Sequence, residues 1–365
     1  MKTILLILGT RPEAVKMCPL IKQLQGRQGL RTLVCVTGQH RQMLEPVLRA
    51  FDVTPDYDLG LMRPEQDLPG LTAAVLEGVS GVLAQARPDA ALVQGDTATA
   101  FAGALACFYA RVPLGHVEAG LRTYDMDRPW PEEFDRRAVT LMSRWHFAPT
   151  DRARQNLLAE GVPPENVFVT GNTVIDALRT TVREDYVNPI LDWAAGSRLV
   201  LITAHRRENL GAPMERMFRA IRRAVEERPD VKAVYPVHLN PAVRRTVERV
   251  LGGCERIRRT EPMGLVDFHN LMARSYLVVT DSGGIQEEAP SLGRPVLVLR
   301  DATERPEGVL AGTLKVAGTE EERVYRELSR LLDDPAAYAA MAGASNPYGD
   351  GCASKRIADI LLEKL

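Results

Sequence analysis

Short apolar runs alternate along the chain with longer stretches in which apolar residues recur at helical spacing. Residues 3–8, 32–37, 90–94 and 113–117 read as buried strands, and 14–25, 42–51 and the very apolar 97–109 read as helices between them. Residues 167–170 supply a late strand. The second half repeats the scheme, with strands at 199–203, 232–236, 276–280 and 295–299 and helices at 214–227 and 241–251. There is no short-period repeat; what repeats is the architecture. Strands separated by helices require right-handed crossovers and parallel sheets. The expected fold is therefore α/β, with two doubly wound Rossmann-like domains facing a cleft outside the carboxyl ends of both sheets. The first is expected over 1–170 and the second over 171–365, with 182–197 as connector.

The polar signatures fall at those strand ends. Asp281-Ser282-Gly283-Gly284 sits where an apolar strand stops and a short helix over 285–289 begins. The two glycines let the backbone bend and leave no side chain above it, so exposed N–H groups and the positive helix end favour an anion such as a diphosphate. A plain glycine turn is the competing reading. Glu287-Glu288, one turn on, tips the balance toward a nucleotide, because a carboxylate there suits ribose hydroxyls better than phosphate.

Gly9-Thr10-Arg11-Pro12-Glu13 follows the first strand, with Pro12 suited to a first helical turn and Lys16 one turn inside. Arg11 and Lys16 are read as phosphate or anion contacts rather than a solvated pair. Gln94-Gly95-Asp96-Thr97 ends the next strand; Asp96 either caps a helix or floors the cleft. His116-Val117-Glu118 repeats the pattern, and Trp130-Pro131-Glu132-Glu133 and Arg136 add charge. Acids converging from separate strand ends signal proton transfer. In the second half His205-Arg206 offers another anion-contacting edge. His238 reads as a ligand or as a structural histidine, and Phe268, on a short segment 266–270, as a base-stacking or a core residue.

Composition narrows the classes. Forty-six basic and forty-seven acidic residues nearly cancel, so no field recruits nucleic acid or an anionic membrane. The longest uncharged stretch, 97–110, is too short to span a bilayer. Five scattered cysteines, an odd number with no Cys-x-x-Cys, fit a reducing cytoplasm, and neither histidine above has metal-ligand spacing, so no metal is expected.

Taken in order, Gly9-Thr10-Arg11-Pro12-Glu13, Gly38-Gln39-His40-Arg41-Gln42-Met43, Gly95-Asp96-Thr97 and His116-Val117-Glu118-Ala119-Gly120-Leu121-Arg122-Thr123 resemble the non-hydrolysing UDP-N-acetylglucosamine 2-epimerases of bacteria. So do Thr203-Ala204-His205-Arg206-Arg207-Glu208-Asn209, Tyr235-Pro236-Val237-His238, Asp281 to Pro290, and Asn346-Pro347-Tyr348-Gly349-Asp350-Gly351. The resemblance covers nearly the whole chain. It implies the glycosyltransferase-B arrangement, a homodimer, and a final helix (about 351–365) returning to the first domain. It implies no cofactor, and no Gly-x-Gly-x-x-Gly follows any strand.

The implied reaction is inversion at C2 of UDP-N-acetylglucosamine through elimination of UDP to a 2-acetamidoglycal and re-addition, supplying N-acetylmannosamine units for cell-surface polysaccharide. By position, Asp96, Glu118 and Glu132 are the acid/base candidates, with His205 assisting. Arg11, Ser282, Gly283, Gly284 and Arg305 hold the diphosphate, Lys16 and Arg136 line the site, Glu288 takes the ribose and Phe268 lies by the base. A second, activating UDP-N-acetylglucosamine is implied at Gln39, Gln42, Glu132, Arg206 and His238. The chain departs from some relatives at Met263, by the uracil, and at Glu65, where they carry a basic residue. A sugar transferase of this fold, a hydrolysing relative and a non-catalytic nucleotide-sugar sensor are the rival readings.

Overall fold

A computed structural model describes residues 1–38, 41–63 and 66–365, with only the backbone of Arg41 and Gln42. The chain forms two compact units, Met1–Thr180 with Tyr348–Leu365, and Thr181–Pro347. The first holds seven strands: β1 Lys2–Leu8, β2 Leu30–Val36, β3 Tyr57–Asp58, β4 Ala90–Gln94, β5 Leu114–Val117, β6 Trp145–Ala148 and β7 Val167–Val169. The second holds six: β8 Arg198–Thr203, β9 Val231–Pro236, β10 Ile257–Thr260, β11 Leu277–Thr280, β12 Val296–Val298 and β13 Leu314–Val316.

All pairings are parallel. The orders are β3-β2-β1-β4-β5-β6-β7 and β10-β9-β8-β11-β12-β13. Each sheet thus grows outward in both directions from a central pair, β1 with β4 (Leu6 opposite Leu92) and β8 with β11 (Thr203 opposite Thr280). Crossovers on opposite sides of that pair send their helices to opposite faces, which leaves a crevice at the carboxyl ends of the pair. That topology decides where each unit has its crevice.

Burial on both faces explains why the central strands are almost wholly apolar. Ile4 to Leu8 and Val200 to Ile202 are inaccessible to solvent. Helix Arg11–Gln25 starts where Thr10 and Glu13 form a capping box, with Pro12 in the first turn. The last helix, Ala353–Lys364, packs against it, and the buried Asp176 accepts from the Ser354 and Ala353 N–H groups at its start (2.7 and 3.2 Å).

Two details differ from the sequence reading. Phe268 is not on a segment preceding a helix but inside one, Leu265–Arg274, and is half-buried. Helix Leu68–Ala86 has no counterpart in that reading. By length and composition it is apolar enough to cross a membrane, but Leu71, Val75, Val79, Val82 and Leu83 bury one stripe of it in the core of the first unit beside helix Ala98–Tyr109.

Candidate functional site

In the first unit the carboxyl ends of β1, β4 and β5 carry a network of acids. Glu13 lies at its base. Fully buried, it accepts from the Thr10 and Gly9 N–H groups (2.7 and 3.1 Å) and from the Thr97 hydroxyl (3.0 Å), tying the turn after β1 to the turn after β4. Burial raises its carboxyl above the ordinary range in spite of those donors. Sequence reasoning passes over Glu13 as a site residue, although Thr10-x-x-Glu13 is the sequence mark of a capping box.

Glu118 leaves β5 with φ +65, in the left-handed region, a conformation that costs a non-glycine residue roughly 1–3 kcal/mol and is held only by its surroundings. Those surroundings include three side-chain donors. Lys16 Nζ reaches both carboxylate oxygens at 2.6 Å, Asn172 Nδ2 donates at 2.8 Å, and Gln94 Nε2 donates as well. The Gly95 backbone, at φ +69, curls back toward Glu118, and a Cβ there would lie 3.6 Å from Glu118 Oε2. This turn leads into Asp96, which meets Arg136.

Asp96 is paired with Arg136 Nη2, while Arg136 Nη1 lies 3.3 Å from the fully buried Glu133. Glu133 in turn accepts from the Thr123 and Tyr124 N–H groups at 3.0 Å each, fixing the loop before helix Glu132–Met142. The neighbouring Glu132 has its Oε2 buried with no hydrogen-bond partner among the described residues. Arg11, the first residue of its helix and half-buried, makes no hydrogen bond or ion pair among the described residues. The structure therefore groups Lys16, Asp96, Glu118, Glu132 and Arg136 at one sheet edge, with Lys16 paired to Glu118 and Arg136 to Asp96.

The second unit presents a different chemistry at the ends of β8, β9 and β11. Asp281 is inaccessible to solvent and accepts from the His205 N–H (2.9 and 3.1 Å), the Arg206 N–H (2.9 Å) and Asn209 Nδ2 (3.1 Å). It folds the loop after β8 over the loop after β11. His205 then stacks on His238, ring centres 4.9 Å apart and planes 6° from parallel. Burial holds the His205 imidazole below its ordinary value, against the pull of Asp281, with His238 and Arg206 adding to the lowering.

Gly283 explains its own identity. A Cβ there would lie 2.9 Å from Glu304 Oε1 and within 4 Å of the Arg206 and Arg305 guanidinium nitrogens. Backbone, two arginines and the Glu304 carboxylate thus frame one small hollow, in which Arg206, Arg305 and the backbone N–H groups are donors an anion could use and Glu304, paired with Arg206, is the opposing charge. Both arginines are held: Arg206 by the Asp281 carbonyl (3.2 Å) and Glu304 (3.2 Å), Arg305 by the buried Glu287. Glu288 lies on the next turn, with Oε2 3.2 Å from His269 Nε2, and His269 Nδ1 lies 2.7 Å from the Thr181 hydroxyl. His269 and Asn172 are supports that sequence reasoning misses. Each is a buried side chain brought in from a distant element, which no local spacing reveals. Gln39 and Glu65 and the side chain of Gln42 lie outside the described residues.

Among the described residues no group of three or more His, Cys, Asp or Glu side chains is arranged to hold a metal ion. The cysteines are unpaired, and burial pushes the Cys18, Cys35 and Cys107 thiols up to about 12, which makes them inert.

This arrangement has close parallels. The family profile described as UDP-N-acetylglucosamine 2-epimerase matches residues 22–362. The UDP-N-acetylglucosamine 2-epimerase of Bacillus subtilis strain 168 is 53% identical over 359 residues, covering 98% of this chain and 94% of its own. Among solved structures, S. aureus MnaA with UDP superposes with a TM-score of 0.93 at 49% identity, covering 100% of this chain and 97% of that one. The UDP-GlcNAc 2-epimerase of Neisseria meningitidis bound to UDP-GlcNAc gives 0.90 at 45% identity, covering 99% of this chain and 100% of that one.

Proposed function

Because the chain belongs to the UDP-N-acetylglucosamine 2-epimerase family, we propose that it interconverts UDP-N-acetylglucosamine and UDP-N-acetylmannosamine by inversion at C2 of the sugar. The observation that carries this reading is the acid set itself. Asp96, Glu118 and Glu132 stand together with Lys16 and Arg136 on one sheet edge, which binding alone does not require.

In the reaction a carboxylate takes the C2 proton while the C1–O bond breaks. Its electron pair leaves with the UDP phosphate oxygen, and a C1–C2 double bond remains. Return of the phosphate oxygen to C1 and delivery of a proton to the other face of C2 give the epimer. A single base contributes only about 10²–10⁴-fold, so the departing diphosphate has to be stabilised as well. The hollow of Gly283, Arg206 and Arg305 suits that task, with Ser282, Gly284 and His205 as neighbouring candidates in the same unit; Arg11, in the first unit, is a separately expected diphosphate contact. Glu288, steadied by His269, suits the ribose hydroxyls, and Phe268 the base. The pathway role, supply of N-acetylmannosamine units for surface polysaccharide from within the cytoplasm, belongs to the same proposal.

Incubation with UDP-N-acetylglucosamine in deuterated water, followed by NMR, tests it. The expected product is UDP-linked N-acetylmannosamine carrying deuterium at C2. Free sugar would indicate a hydrolase, and unchanged substrate a transferase or sensor.

Phe108, Tyr109, Phe134 and Leu141 stand exposed on neighbouring helices, Leu141 at 88%, and Phe134 packs edge-on against Phe101 (5.6 Å). A second copy of this chain is the proposed occupant of that face. Light scattering should give twice the chain mass, and Leu141→Glu should shift it toward the monomer; a wild-type monomer at micromolar concentration would refute the homodimer. UDP-N-acetylglucosamine is also the proposed activator; of its expected contacts Glu132, Arg206 and His238 are among the described residues, and Arg206, which also borders the Gly283 hollow, would lie between the two ligands. The reverse reaction should start with a lag that traces of UDP-N-acetylglucosamine shorten, and a full initial rate without them would refute activation.

A further inference from the structure

Helix Glu132–Met142 carries three carboxyl groups, those of Glu132, Glu133 and Asp135, beside its own Arg136, and the turn after β4 adds a fourth, that of Asp96. Arg136 is already divided between Asp96 and Glu133, and its Nε is buried without a hydrogen-bond partner among the described residues. Asp135 is only 4% exposed, and its Oδ2 is buried with no partner among those residues. A buried carboxylate without a donor is costly, and the same oxygen carrying a proton is far less so.

We propose that Asp135 is a positioning residue for the reaction: carried neutral, it leaves Arg136 to Asp96, and when ionised it competes for that guanidinium and adds a negative charge beside the site. This rests on the function proposed above. An extra buried charge opposes expulsion of an anionic leaving group, so turnover falls when Asp135 loses its proton. Burial, reinforced by Asp96 and Glu132 and only partly offset by Arg136, pushes its carboxyl up to about 7, which places the transition in the working range.

The other titratable groups near this helix do not supply the same effect. Helix Ala98–Tyr109, packed against it, has no charged side chain. On β5, burial lowers the His116 imidazole to about 3, so it is neutral throughout. Beyond β5, Glu118 is held by Lys16, and Arg122 by Glu160 and Thr140. On the helix itself Arg137 lies 3.7 Å from the Met126 sulfur.

The linkage has a definite sign. The folded protein retains a proton that the unfolded chain has lost between about pH 4 and pH 7, so this group's contribution to stability declines as pH rises through that window. Asp135→Asn keeps the shape and removes the titration. The test is kcat from pH 5.5 to 9 for the wild type and Asp135→Asn, with far-UV circular dichroism and UDP affinity recorded alongside. The wild type should lose turnover through one ionisation near neutrality. In the variant the ratio of kcat at pH 8.5 to kcat at pH 6 should exceed the wild-type ratio by at least about threefold. An unaltered ratio, including a loss that is the same at every pH, overturns the proposal. A flat wild-type profile between pH 6 and 8.5 overturns it without recourse to the variant. Absence of epimerase activity in the wild type would instead defeat the functional reading on which the inference rests.

Discussion

Asp96→Asn is expected to lower kcat by at least about 10²-fold while the variant still folds and still binds UDP, and Glu118→Gln is expected to do the same. Asp96 reaches its place because Gly95 turns the chain at the end of β4, and Glu118 because its own backbone is forced to positive φ at the end of β5. Neither substitution alters a side-chain shape, so the amide occupies the same space. It can no longer take a proton. The two variants separate in their side effects. Asp96→Asn leaves Arg136 its bond to Glu133, whereas Glu118→Gln leaves Lys16, largely buried, without its carboxylate. Glu118→Gln should therefore also lower the melting temperature, and Asp96→Asn should do so less. Exchange of the C2 proton with deuterated water, measured beside kcat, reports the chemical step directly. Turnover within about threefold of wild type in either variant would remove that residue from the proton transfer.

The strand pattern is readable wherever a run is buried on both faces. Residues 90–94 match an observed strand to the residue, and 199–203 and 232–236 fall within one residue of theirs. What escapes is short or at an edge. β6, Trp145-His146-Phe147-Ala148, carries a histidine that is buried and neutral, so its polarity on paper hides its burial in the sheet. β10, Ile257-Arg258-Arg259-Thr260, is an edge strand whose arginines leave the sheet for Pro189 and Glu248, and it has little apolar signal of its own. Helix Leu68–Ala86 escapes because Gly70, Gly78 and Gly81 interrupt its periodicity, and glycine argues against a helix interior until packing overrides it.

The site shows the same division. Residues at strand ends, such as Asp96, Glu118, Ser282 and Gly283, announce themselves because polar groups follow abruptly on apolar runs. Those that hold them do not. Asn172 reaches Glu118 across fifty-four positions and His269 meets Thr181 across eighty-eight. Only the fold brings such pairs together. Asp135 lies between these cases: its sequence context, Glu132-Glu133-Phe134-Asp135-Arg136, reads as added charge among the converging acids, with nothing to single out Asp135. Its importance comes from burial, which only the packed helix supplies.

Asp281→Ala is expected to damage the second unit more than any single change to its ligand contacts. Asp281 is inaccessible to solvent and accepts from two successive backbone N–H groups and from Asn209. Truncation leaves donors facing a cavity. Each unsatisfied buried donor costs about 1–3 kcal/mol, and water reaching the half-exposed His205 edge recovers part of that, so a net loss of about 2–4 kcal/mol is expected in urea unfolding. The functional consequence follows from what those donors position. The His205 and Arg206 N–H groups are the hooks by which the loop after β8 is pinned to the loop after β11, and Arg206 is one of the guanidinium groups beside Gly283. Releasing the hooks frees Arg206 from its place, and UDP should bind at least about tenfold more weakly, the equivalent of one charge-assisted hydrogen bond. Asp281→Asn keeps an acceptor oxygen and should fall between the two. Calorimetry with UDP on protein shown to be folded decides the matter. Wild-type affinity in Asp281→Ala would mean that the loop after β8 holds Arg206 in place without Asp281, and that the anion hollow owes nothing to these hooks.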